Sequence, residues 1–273
     1  MSDPFPSPDL PACALELEDV DVPAPSNPDA LVVRDLNWRV GVGEHWLLAG
    51  GTGSGKTSVL QVAAGLIRPS RGRQRLFGVD LADLRETEVE AHRSRVGMVF
   101  GGGGRLFNQL NVAENLALPL LYHGRDRREG GSDRIAEVLE GLTLGPLAQR
   151  LPRELPRRLL ERVALARALV LEPEVLLLDD VAAGFPSADV DWWRGFVESC
   201  IAGSCGVAPT LRTLVLAATE SGIWRDLVDR VATVEAGGWR TDPGREKEQE
   251  KEEGKGMEDG GRKAGRGIAS GAG

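Results

Sequence analysis

Apolar and polar residues alternate along this chain in two rhythms, one of period two and one of three to four. Leu15, Leu17 and Val20 mark a first strand, expected at a sheet edge, and the Pro-bearing stretch 23–28 reads as a loop. Residues 32–40 and 46–49 return to strand patterning. A glycine-rich turn at 50–55 leads into 56–66, where Val59, Leu60, Val62 and Ala63 sit at helical spacing. Residues 134–142 and 159–169 also place apolar side chains three and four apart, as amphipathic helices do. The run 175–178 is wholly apolar, as expected for a strand covered on both faces of a parallel sheet, and 215–218 and 231–234 repeat the theme. Strands alternating with helices predict an α/β fold with a mainly parallel sheet.

The two ends break the pattern. Residues 1–13 are Pro-rich and acidic, lack the basic start and apolar core of a leader peptide, and are expected to be disordered. Residues 241–273 interleave Glu, Lys, Arg and Gly, with Met257 and Ile268 the only large aliphatics. Such a tail has too little apolar surface to offset its ordering entropy, so disorder is expected there as well. One domain over 14–240 remains.

Composition narrows the class. With 41% apolar and 27% charged residues the chain is globular in character, and no apolar run approaches the roughly 18 residues of a membrane span. The expected compartment is therefore the cytoplasm. A net charge of −8 argues against nucleic acid as a partner. Cys13, Cys200 and Cys205 lack the neighbours for a four-ligand metal site or a disulfide framework, and His45, His92 and His123 share no motif.

The chemistry concentrates in Gly50-Gly51-Thr52-Gly53-Ser54-Gly55-Lys56-Thr57-Ser58, which satisfies G-x-x-x-x-G-K-[ST] between a strand and a helix. Glycines let backbone N–H groups turn inward around phosphates, and the helix points its positive end at them. Lys56 is placed to reach the β- and γ-phosphates, and the Thr57 hydroxyl to complete a magnesium shell. Lys56 is also the only lysine before Lys247, in a body whose other basic residues are arginines. A compact ammonium suits this cradle where a planar guanidinium does not. The strand 175–178 ends in Asp179-Asp180, and Asp179 is the expected water-mediated magnesium ligand.

With both motifs in place, residues 14–240 resemble an ABC-transporter ATPase. The turn 64–72 resembles the family's turn after the phosphate-loop helix, and 106–116 its entry to a helical subdomain, expected over 102–168. Residues 162–169 are similar to the helix after the family signature, and 229–232 to its last core strand. The segment 106–116 is most similar to the lipid-trafficking, Mce-linked branch. The resemblance implies a P-loop NTPase fold with an antiparallel edge subdomain and a helical subdomain. It further implies ATP and Mg2+ as cofactors, a homo- or heterodimer of ATP-binding subunits, and transmembrane permease subunits as partners at the cytoplasmic face of a membrane.

Several positions depart from the family pattern. Gly101 stands for the glutamine that senses magnesium and couples to the membrane subunits, within a run of four glycines. Leu155-Pro156-Arg157-Arg158-Leu159 aligns with the signature L-S-G-G-Q, placing a proline without N–H and two arginines where small, N–H-presenting residues stand. Asp180 replaces the catalytic glutamate, Thr219 the switch histidine, and Pro186 the aspartate of the adjoining loop; no aromatic lies near Pro23 or Ala24 to stack on adenine. A misplaced base and a missing transition-state donor each cost about a hundredfold or more in rate. The reading is thus an ATP-binding transporter subunit with weak hydrolysis. The alternative is a pseudo-ATPase acting as a nucleotide-binding regulator or scaffold.

Overall fold

The computed structural model describes residues 13–25, 27–103, 105–124, 131–235 and 237–242. The expectations for residues 1–12 and 243–273 lie outside them. Cys13 already belongs to the first strand and Thr241 to the last, one residue beyond each expected edge of the domain.

Strands β1 (Cys13–Ala24) and β2 (Asn27–Gly41) form a long antiparallel hairpin. The expected loop at 23–28 shrinks to a tight reversal, because Pro23 and Ala24 still pair with Leu31 and Asn27. Asp19 and Asp35 adopt left-handed φ of 50° and 49° near shifts in register, the local overtwist that a bulge introduces. Arg71 ties the irregularity down, bonding both Asp21 and Asp35. After β3 (His45–Ala49) and helix α1 (Lys56–Ala63), strands β4 (Arg71–Leu76) and β5 (Val79–Asp80) complete a four-stranded sheet in the order β2-β1-β4-β5. This is the expected antiparallel edge subdomain.

The second sheet holds the chemistry. Helix α2 (Glu86–Arg93) precedes β6 (Val96–Phe100), and helices α3 (Val112–Tyr122), α4 (Gly131–Gly141) and α5 (Arg157–Leu169) follow it. Then come β7 (Val175–Asp179), α6 (Ser187–Ile201), β8 (Thr213–Ala218), β9 (Arg230–Glu235) and β10 (Gly238–Thr241). The sheet order is β10-β9-β3-β8-β7-β6, parallel throughout except for the β10–β9 hairpin.

Alternation along these parallel strands separates two cores. Leu47, Leu176, Leu178, Leu214 and Leu216 face one cluster, with Leu116, Leu165, Trp193 and Val197 from α3, α5 and α6. Leu48, Leu177, Val215 and Ala217 face the other, with Val59 and Leu60 of α1 and Leu15, Val33 and Trp38 of the hairpin. The apolar strands were legible because both faces are covered. Helix α6 was not expected. Gly195 and the polar residues around it obscure a stripe of Trp193, Phe196, Val197 and Cys200 that becomes decisive only against β7 and β8.

Candidate functional site

Strands β3, β7 and β8 end side by side, so three loops meet at one edge of the parallel sheet. The first is the cradle. Gly50 is confined there by space: a Cβ would lie 2.5 Å from the Val234 carbonyl oxygen and 2.7 Å from Ser54 Oγ. Gly55 takes a left-handed φ of 108° as it caps α1, a conformation open to glycine at no steric cost. Gly51, Thr52 and Gly53 are exposed along the rim, while Ser54 Oγ is buried and has no partner. Ser58 is buried in the first turn of α1.

Lys56 bends back over the loop. Its Nζ donates to the Gly50 carbonyl at 2.8 Å, the Gly51 carbonyl at 3.1 Å and Thr219 Oγ1 at 3.1 Å. Three neutral acceptors hold the ammonium at the mouth of the loop, and none is a carboxylate that would neutralise it.

The second and third loops supply the carboxylates. Asp179 ends β7 and is nearly buried. Its Oδ1 has no partner, and the Thr57 hydroxyl is near enough to favour its charged form. An acceptor-only group with an orphaned, buried oxygen calls for a cation, and the Thr57–Asp179 pair fits the hard, oxygen-liganded shell of magnesium. Burial pushes the Asp179 carboxyl above the ordinary carboxylate range. The nearby Thr57 hydroxyl and the charges of Lys56 and Arg105 oppose the rise, and Asp180 reinforces it.

Asp180 follows with a left-handed φ of 50°. Its Oδ1 accepts from the Thr219 N–H at 2.9 Å and its Oδ2 from the Thr219 hydroxyl at 3.1 Å. The structure therefore joins Lys56, Asp180 and Thr219 in one chain of hydrogen bonds, with Asp179 and Thr57 beside it.

The departures from the family pattern acquire geometry here. At Gly101 a Cβ would meet the carbonyl oxygens of Asp179 and Asp180, each at 2.8 Å, so this backbone path admits no side chain. Four residues on, the Arg105 guanidinium lies 4.1 Å over the Phe100 ring, and Phe100 pairs in register with Asp179. Pro156 caps α5 and offers no N–H. Arg157 stays half exposed, with its Nε 3.3 Å from Glu161 and its guanidinium 5.2 Å over Phe185. Arg158 lies 3.8 Å from Asp189, which also takes Arg162 at 3.3 Å. The arginines at the signature position are thus engaged within their own chain.

Sequence reasoning missed Glu161, a buried carboxylate on α5. The signal was present: an acidic residue in phase with Ala164, Leu165 and Ala168 on the apolar face.

A stability prediction follows from Asp179. Its folded-state carboxyl titrates above its unfolded value, so the native state loses stability as pH rises through that window, and the loss is complete above the folded value. Asp179→Asn removes the buried charge. It is expected to raise the melting temperature of the nucleotide-free chain by about a few degrees at neutral pH. The gain should vanish as pH falls toward the unfolded carboxylate range. Calorimetry across pH checks this, and a variant less stable than wild type at neutral pH would contradict it.

Comparison with known proteins bears on the family and the fold. The family model for "ABC transporter" matches residues 33–183. The methionine import ATP-binding protein MetN 1 of Rhodococcus jostii is 32% identical over 76% of this chain and 59% of its own length. The lipoprotein-releasing system ATP-binding protein LolD of Chromohalobacter salexigens is 36% identical over 56% of this chain and 64% of its own. The matches thus span about three-fifths of these relatives' length. Among solved structures, a dimeric post-hydrolysis state of the ATP-binding cassette MJ0796, bound to ADP and Pi, superposes with a TM-score of 0.73. At 23% identity, over 84% of this chain and 97% of that one, this likeness speaks for the fold.

Proposed function

This chain belongs to the ABC transporter family, and from that premise we propose that it is an ATP-binding subunit that couples nucleotide binding to transport across a membrane. The observation that carries the reading is the cradle: a buried ammonium held by neutral acceptors at a turn of phosphate-binding form, beside an orphaned carboxylate oxygen. The loop Gly51–Gly55 and the first turn of α1 would turn backbone N–H groups toward the phosphates, with the Ser54 and Ser58 side chains beside them. Lys56 supplies positive charge to the outer phosphates. Thr57 and Asp179 would hold magnesium, which would supply positive charge against the phosphates.

Asp180 and Thr219 occupy the positions of base and switch, but they bond to each other. A carboxylate occupied on both oxygens and one methylene short is poorly placed to polarise water. Weak hydrolysis therefore belongs to the proposal. Binding of ATP, rather than its rapid cleavage, is the step this subunit contributes.

The partners follow from the same reading: a second ATP-binding subunit, identical or not, and transmembrane permease subunits on the cytoplasmic face. Among the described residues no helix is long and apolar enough to cross a membrane, so a membrane path must come from another subunit or segment. Phe107, ahead of α3, leaves 55% of its surface exposed, and Tyr122, at the end of α3, leaves 69%. Exposed aromatic side chains of this kind suit docking onto another protein. Affinity purification of the full chain from detergent-solubilised membranes of its source cells is expected to bring a multi-span protein with it. Phe107→Ser should reduce that recovery about tenfold or more. Recovery of the chain without any membrane subunit would count against a transporter.

A further inference from the structure

Helix α5 carries a charged residue where its apolar stripe should continue. The side chain of Glu161 is 0% exposed, and a carboxylate withdrawn from water persists only where its lone pairs are filled. Oε1 accepts the Gly102 N–H at 3.0 Å and faces Arg157 Nε at 3.3 Å; Oε2 accepts the Ala182 N–H at 3.0 Å. Gly102 lies in the glycine loop after β6. Ala182 lies in the loop after β7, two residues beyond Asp180. One carboxylate therefore spans two loops that leave neighbouring strands, from a helix belonging to neither.

The second loop needs such support. Asp180 and Ala182 both hold left-handed φ, at 50° and 60°, which side-chain-bearing residues adopt only where their surroundings fix them. The turn also sets where the Asp180 carboxylate meets the Thr219 N–H and hydroxyl. Thr219 bonds Asp180 and Lys56 and shares no bond with Glu161.

We infer that Glu161 is a positioning residue: it locks the loop after β6 to the loop after β7 through helix α5, and thereby places Asp180 against Thr219. The inference rests on the nucleotide-site reading only for what Asp180 is placed to do. The lock itself stands on the two amide bonds. Because α5 begins at the signature position, a rotation of that helix carries Glu161 with it and shifts both loops together.

The test is residue-resolved amide hydrogen exchange on the full nucleotide-free chain, in wild type, Glu161→Gln and Glu161→Ala. A carboxylate accepts through two oxygens, a carboxamide through one. In Glu161→Gln, one of the Gly102 and Ala182 amides is expected to exchange about tenfold faster while the other keeps its protection. In Glu161→Ala both should exchange about tenfold faster. The deciding readout is Thr219, whose exchange should follow that of Ala182 in each variant, although Glu161 does not touch it. The Val59 amide, bonded to Gly55 at 2.9 Å inside α1, should be unchanged in Glu161→Gln. Thr219 protection that stays constant while Ala182 opens would overturn the inference. So would a uniform rise that includes Val59 in Glu161→Gln, since that is general loosening. ATP binding by the wild type, measured alongside, separates the two readings: its absence would count against the nucleotide site and leave the exchange result to decide the lock.

Discussion

Replacing Lys56 by alanine is expected to lower the affinity for magnesium-ATP about a hundredfold or more. The ammonium is nearly buried and bonds two loop carbonyls and the Thr219 hydroxyl. It is therefore already oriented toward the mouth of the cradle, and a phosphate entering there exchanges neutral acceptors for charged ones. Alanine leaves the outer phosphates without a side-chain cation. Arginine at this position is expected to do little better, because its planar fork is bulkier than the space between Gly50 and Thr219 and is shaped for bidentate partners. Titration with a fluorescent ATP analogue reads the effect. Equal affinity in wild type and Lys56→Ala would remove the basis of the proposed function.

The second expected result concerns cleavage. Phosphate release by the purified chain should fall well below the roughly ten per second of a median enzyme. Asp180→Glu alone is expected to raise it less than about tenfold. Lengthening that side chain breaks both of its bonds to Thr219, and the left-handed backbone at Asp180 favours Asp over Glu. Thr219→His alone should do as little, since it removes the hydroxyl that Lys56 and Asp180 share. The two residues touch, so their effects should not multiply independently. The double variant is expected to exceed the product of the single effects by about tenfold. Fast wild-type turnover, at about one per second or above, would show that these residues work as they stand. Strict multiplicativity would show that the Asp180–Thr219 contact does not limit the reaction.

The parts of this site that were legible in the sequence are those whose chemistry fixes residue type locally. Glycines at 50, 53 and 55, and one ammonium in an arginine-rich body, follow a phosphate-loop pattern that is written within a few consecutive residues. The strand ending in Asp179 was readable because burial on both faces leaves an uninterrupted apolar run. Contacts that arise only on folding were not readable. The Asp180–Thr219 pair joins residues 39 apart in sequence. Glu161 has meaning only once α5 lies against two loops. Helix α6 was hidden by Gly195, and β1 ran on past Pro23 because pairing with Leu31 outweighed the usual breaking effect of proline. The arginines of the signature position each keep 52% of the side chain exposed, and what they reach within the chain, Phe185 and Glu161 for Arg157 and Asp189 for Arg158, is set only by the fold.

The buried ammonium also gives the chain a reporter of its own opening. Up to residue 246 a lysine-specific protease has a single bond to cut, the one after Lys56, and the folded cradle withholds it. Where opening and closing are fast relative to cleavage, appearance of that one cut measures the population of the open state. A fragment ending at Lys56 would thus count openings that reach the cradle, local or global, with no label added, and anything that fills the cradle should slow the count.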